Sequence, residues 1–326
     1  MRLILLLKRI AASIIMTLPA VTLAVHAADA PSEIRIDFAT YNPVSLVLKE
    51  QKLLEKAFEK EGVTIRWVQS AGSNKALEFL NASAIDFGST AGAAALVAKI
   101  NGNPIKSIYV YSRPEWTALV TRKDSGINKV ADLKGKSVAV TRGTDPHIFL
   151  VRALASEGLT EKDVRFVLLQ HADGRLALER GDVDAWAGLD PMMAAAEVES
   201  GARLFFRKPE ANTWGILNVR EEFAQKYPDV VKRVLAVYED ARKWSLANPA
   251  EVKKAFIAFT KLPDAVVERQ LSTRTELTHS VIGKPQAESI TAAGLALQDA
   301  GVVAKEVDVK KTVSELIDPS YLAATQ

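Results

Sequence analysis

The chain has 326 residues, 42 Lys and Arg against 39 Asp and Glu, a formal net charge of +3, and no cysteine. The missing thiols exclude disulfides, thiolate zinc sites, a cysteine nucleophile and a lipid-bearing cysteine. Arg2, Lys8 and Arg9 account for the whole basic excess, so beyond them 39 cations face 39 anions and charge gives no reason to expect nucleic acid or an acidic membrane surface as a partner.

Residues 1–27 read as a cleavable export signal: a positive start, an apolar stretch from Ile10 to Val25, and small residues at Val25-His26-Ala27. That stretch carries Ser13, Thr17, Pro19 and Thr22 and is shorter than the roughly 20 residues that span a bilayer. The expected location is the periplasm. Ile34 to Phe38 alternates as a strand, Leu46 to Lys60 has helical spacing up to Gly62, and Val63 to Gln69 is the next strand. This order continues along the chain and predicts α/β architecture, with mainly parallel sheets flanked by helices.

An internal echo suggests two related halves. Ala76-Leu77-Glu78 leads through a small-residue turn to Ile85-Asp86-Phe87-Gly88-Ser89-Thr90, and Ala177-Leu178-Glu179 leads to Val183-Asp184-Ala185-Trp186-Ala187-Gly188-Leu189-Asp190. Open α/β sheets bind ligands beyond the carboxyl ends of their strands, so the two terminal loops are expected to face one another. Ser112 to Trp116 interrupts an apolar strand pattern as a crossing linker does, and Ala211 to Gly215 suits the return. Two crossings make a hinge. The expected lobes are residues 31–115 with 218–326, and residues 116–217. From Glu221 onward, Tyr227 to Ala247, Ala250 to Phe259, Pro263 to Leu271 and Ala287 to Asp299 are predicted helices.

Candidate ligand-binding residues lie at the strand ends. Thr141-Arg142-Gly143-Thr144-Asp145-Pro146-His147 follows a strand and opens a helix, and exposed N–H groups at such a helix start bind anions. Thr144 reads as a ligand contact or as a plain N-cap. Arg142 places a guanidinium beside the head group or is solvated; His147 donates to the ligand or is a satisfied helix residue. Asp145, if it faces the cleft, repels an anion and favours a ligand that also carries an amine. Opposite them, Ser89, Thr90 and Ala91 precede a second anion-friendly helix start, while Tyr41, Asn42 and Gly72 occupy equivalent strand ends and Tyr111 precedes the crossing. Trp186 and Trp214 are expected as apolar walls, each with lobe core as the competing reading.

The run from Val130 to Val140 (VADLKGKSVAV) with Thr141 to His147, the segment Gly181 to Trp186 with Asp190-Pro191, and Ile85 to Thr90 together resemble the aliphatic sulfonate, taurine and nitrate binding proteins of ABC importers. The resemblance implies a two-lobed type II periplasmic binding protein fold joined by a two-strand hinge. It also implies a monomer that catalyses nothing, needs no cofactor or metal, and delivers a small organic anion, an aliphatic sulfonate or taurine-like, to an ABC permease and its ATPase. Asp190 is similar to the family's acidic residue in its loop. Gly188-Leu189 departs from the bulkier pair usual in sulfonate binders, which puts the ligand in doubt. No HExxH, GxSxG, Walker or GxGxxG motif is present. The alternatives are a cofactor-precursor enzyme on the same scaffold, for which His147 with Asp145 or Asp190 is the candidate set, and a binding subunit that serves a sensor.

Overall fold

The structure, a computed structural model, describes residues 30–322, and the expected export signal lies outside the described residues. Six strands form the first sheet: β1 (Glu33–Phe38), β2 (Thr64–Gln69), β3 (Phe87–Ala91), β4 (Ile105–Pro114), β10 (Gly215–Arg220) and the short β11 (Thr275–Glu276), in the spatial order β11-β4-β10-β3-β1-β2. Five strands form the second: β5 (Leu119–Thr121), β6 (Ser137–Val140), β7 (Arg165–Leu168), β8 (Ala185–Ala187) and β9 (Arg203–Phe206), in the order β7-β6-β8-β5-β9.

Both sheets are mixed, which corrects the expectation of mainly parallel pairing. β1 pairs in parallel with β2 and β3, and β6 with β7 and β8. β10 runs antiparallel to β3 and β4, and β5 antiparallel to β8 and β9. The physical reason is connectivity: β5 and β10 are the first strands each sheet receives from the other, so they enter from the opposite end. Burial follows position. Every residue of β3, β10, β6 and β8 is buried, whereas the edge strands β2, β7 and β9 are half-exposed.

The first segment contributes α1 (Pro43–Glu50), α2 (Leu53–Phe58), α3 (Ser73–Asn81) and α4 (Gly92–Ile100). The single helix expected over Leu46 to Lys60 is therefore two. Lys52, at φ 53°, stops the first and turns the chain so that both Leu48 and Leu54 reach the core. The second segment contributes α5 (Asp145–Ser156), α6 (His171–Arg180) and α7 (Met192–Ser200). After β10 come α8 (Glu221–Lys226), α9 (Pro228–Ala247), α10 (Pro249–Thr260), α11 (Asp264–Arg274), α12 (Lys284–Asp299) and α13 (Val309–Leu316). α9 packs on α1 and α12 on α4, while α11 reaches across to α7, where Val266 meets Ala194 and Ala195.

Candidate functional site

Among the helices that begin just beyond the carboxyl ends of strands are α1 after β1, α3 after β2, α5 after β6 and α6 after β7. The first residues of α3, α5 and α6, with Tyr41 just before α1, meet in one small, nearly closed pocket of about 10 Å³, lined by Tyr41, Ser73, Trp116, Thr144, Asp145, Pro146, His171 and Leu189. The lining draws on both sheets. A larger opening, of about 350 Å³ among α9, α10 and α11, takes no residue from the second sheet or its helices.

The helix starts differ in how their N–H groups are satisfied. At α1 the Asn42 side chain caps the helix by accepting from Ser45 N–H at 3.2 Å. At α3, α5 and α6 no side chain does so. Three helix N-termini, each with unpaired donors and partial positive charge, therefore converge where the lining holds no Lys or Arg. The two sheets' loops touch here. A Cβ added to Gly72 would lie 3.0 Å from His171 Nε2, and one added to Gly143, at φ 77°, would lie 3.8 Å from Asn74 Cβ.

Several expected site residues occupy other roles. Ser89, Thr90 and Ala91 are the buried last three residues of β3 rather than a loop beyond it. The Ser89 hydroxyl donates to Asp37 and accepts from Asn42, and Thr90 Oγ1 accepts from Asn218. The helix start behind them is already satisfied, because Thr213 takes Gly92 N–H on its carbonyl and Ala93 N–H on its hydroxyl. Asp145 lines the pocket, but its carboxylate accepts from Trp116 Nε1, Thr213 N–H and the Thr213 hydroxyl. Burial raises its pKa, and the Thr213 and Trp116 bonds pull the other way.

Arg142 is half-exposed, donates to Glu161 at 3.1 Å and leans over Phe166. His147 Nε2 meets the same Glu161 at 3.1 Å, and burial lowers its pKa against that carboxylate. Neither lines the pocket. Asp190 is buried in an ion pair with Arg274 of α11, which also holds Glu197. Burial pushes Asp190 up to about 6, with Arg274 opposing. His147, Asp145 and Asp190 are thus each held by a different partner and do not form a catalytic set.

The two expected Trp walls are core residues. Trp186 is fully buried beneath Gly174 of α6, where its flat ring occupies the space that a Cβ would need. Trp214 packs with Val110, Ile216 and Ile282 under Arg113 and His279. The pocket's aromatic walls are Tyr41 and Trp116, edge to face at 6.0 Å between ring centroids. Tyr111 stands behind them, its ring 6.3 Å from Trp116 and its hydroxyl donating to Thr90 O. Tyr41 donates to Ser89 O, and Asn42 to Ser89 Oγ and the Tyr238 hydroxyl. Gly72, Gly143 and Thr144 do sit at the cleft, although Thr144 Oγ1 donates to Thr141 O and caps nothing.

Sequence reading missed Ser73, Trp116 and His171 as pocket residues. The available signal was the one used for Thr144: His171 follows a strand and opens a helix after Gln170, a residue with little capping tendency.

Comparison with known proteins agrees with this architecture. In the solved structures, the chain is similar to the alkanesulfonate-binding protein SsuA from Xanthomonas axonopodis pv. citri bound to MOPS, with TM-score 0.80, 27% identity, and 89% of this chain and 99% of that one covered. The periplasmic aliphatic sulphonate binding protein SsuA from Escherichia coli matches with TM-score 0.75 and 27% identity, over 91% of this chain and 96% of that one. A relative in Escherichia coli K12, provisionally named an aliphatic sulfonates-binding protein, is 29% identical over 295 residues, 90% of this chain and 92% of its own. The chain has the two-lobed α/β fold of periplasmic binding proteins. It belongs to the NMT1/THI5-like family, whose pattern matches residues 57–252.

Proposed function

We propose that this protein is the periplasmic solute-binding subunit of an ABC importer, and that it captures a small organic sulfonate or related anion between two lobes, residues 31–115 with 218–326 and residues 116–217. The observation that carries this reading is the convergence of the α3, α5 and α6 N-termini, none capped by a side chain, in a pocket lined from both sheets. A sulfonate's three oxygens replace water on those N–H groups, and its organic part packs on Tyr41 and Trp116. Selectivity for an anion then comes from backbone donors, since no Lys or Arg lines the pocket and Arg142 is paired with Glu161 outside it. The lobes close by hinge bending at the two crossings, and the closed monomer is what the permease and its ATPase recognise.

The names of the relatives support the ligand class and the transport role. No catalytic step is assigned. A thermal-shift screen with aliphatic and aromatic sulfonates, nitrate and carboxylates tests the reading. Stabilisation by sulfonates above carboxylates is expected, and no stabilisation by any anion overturns it.

A further inference from the structure

His171 is the first residue of α6 and is 1% exposed. Its Nδ1 lies 3.2 Å from Thr141 Oγ1. Thr141 has one hydroxyl hydrogen and gives it to Leu169 O at 2.7 Å. Toward His171 that oxygen can only accept, so Nδ1 carries the ring hydrogen and Nε2 presents a lone pair. Nε2 is buried with no hydrogen-bond partner, as is Asn74 Oδ1 in the first turn of α3. Both atoms stand beside Gly72, close enough that a Cβ on that residue would be 3.0 Å from Nε2 and 2.9 Å from Oδ1, so the two acceptors are close neighbours across the two sheets' loops. Two orphaned acceptors thus stand together at the pocket, His171 in its lining and Asn74 directly after Ser73, which also lines it.

The ionisable groups beside the ring do not stabilise its cation. Asp145 turns its carboxylate to Thr213 and Trp116, and Tyr41 gives its hydroxyl to Ser89 O. The three helix N-termini add positive potential, and burial alone drives the imidazole pKa down to about 3. His171 is a neutral acceptor.

We propose that His171 is a specificity-determining residue whose Nε2, together with Asn74 Oδ1, accepts hydrogen bonds from a donor on the ligand. The solute is then an organic anion that carries a hydroxyl or ammonium group close to its anionic head. The proposal rests on reading the pocket as an anion site and adds the requirement for a donor. The short spacing follows because the His171 ring and the α6 amides belong to the same helix start. A site with buried acceptors discriminates strongly against an analogue without the donor, because the acceptors are then desolvated and unpaired.

Calorimetric titration of the mature protein with 2-hydroxyethanesulfonate, 2-aminoethanesulfonate and propane-1-sulfonate separates the outcomes. At least one of the donor-bearing ligands is expected to bind about 10-fold or more tighter than the propyl isostere. In H171L, with folding checked by its melting temperature, the ratio is expected to fall toward one. Equal or tighter binding of propane-1-sulfonate by the wild type overturns the inference and leaves the anion site standing, and so does stabilisation only by anions that lack a donor. Affinity for propane-1-sulfonate that rises about 10-fold per unit of falling pH also overturns it, since His171 would then be acting as a cation. If no anion in the thermal-shift screen binds, the reading of the pocket fails first, and this inference with it.

Discussion

The Thr213 hydroxyl donates to Asp145 Oδ1 at 2.6 Å and accepts from Ala93 N–H at 3.0 Å. One side chain on the returning crossing therefore ties the start of α4 to the start of α5, in different halves of the molecule. Removing the hydroxyl in Thr213→Val leaves a buried carboxylate with fewer donors and a helix N–H unpaired. The expected cost is about 1–3 kcal/mol of unfolding free energy, measured by denaturant titration. An unchanged midpoint would show that neither bond matters.

Gly72→Ala is the sharper test of cleft closure. Gly72 has extended backbone that any residue adopts, so the only penalty is space: the new methyl meets Asn74 Oδ1 and His171 Nε2. The variant is expected to keep its melting temperature without ligand and to bind more weakly by about 10-fold, because the closed form is less populated. Small-angle scattering should report a larger radius of gyration than the wild type under the same conditions. Wild-type affinity and radius together would mean that the loops part without consequence.

Asp37 gives a pH signature. Its carboxylate is buried at the end of β1, and burial pushes it up to about 6 from 3.8, with the Ser89 N–H and hydroxyl opposing. Below about pH 4 the folded and unfolded chains both hold this proton. Between about 4 and 6 only the folded chain holds it, so Asp37's contribution to stability falls as pH rises through that window and is flat above it. Asp190 shares the window, so the comparison must be with Asp37→Asn, which keeps an acceptor for Ser89. Relative to wild type, the variant is expected to gain about 3 kcal/mol between pH 4 and pH 7, read from denaturation at each pH. A difference that does not change with pH would place the Asp37 pKa near its ordinary value.

Arg274 links the outer helix α11 to the second sheet's unit through Asp190 and Glu197. Arg274→Met keeps the apolar stem but leaves Asp190 buried without its cation. Breaking a buried pair in this way typically costs about 3–5 kcal/mol. The expected result is a loss of that size in denaturant. A loss below about 1 kcal/mol would mean that water reaches Asp190 and that the pair is a surface one.

Much of the fold was legible because it rests on local signals. The alternation at Ile34 to Phe38 and the amphipathic spacing of α9 and α12 predicted the observed elements within a few residues. The break at Lys52 was not legible, since nothing in its side chain favours a positive φ; the turn comes from packing both Leu48 and Leu54. The strand-end rule singled out Tyr41 and Thr144, which line the pocket, and Gly72 and Gly143, which stand beside it. It failed at Ser89 to Ala91, because a run of small and hydroxyl residues suits both a ligand loop and a buried central strand.

The sequence by itself determined the α/β alternation, the two crossings, the absence of thiol chemistry and the neutral charge balance, because these depend on spacing, composition and short-range backbone preference. Only the tertiary structure decided which polar groups remain unpaired. Thr213 satisfies one helix start from more than 100 positions away and also occupies Asp145, and Arg274 neutralises Asp190. The same long-range packing buries Trp186 and Trp214 and leaves Tyr41, Trp116 and the open acceptor of His171 around the pocket. Hydrogen-bond satisfaction is a property of the whole packed molecule, and no local window of residues contains it.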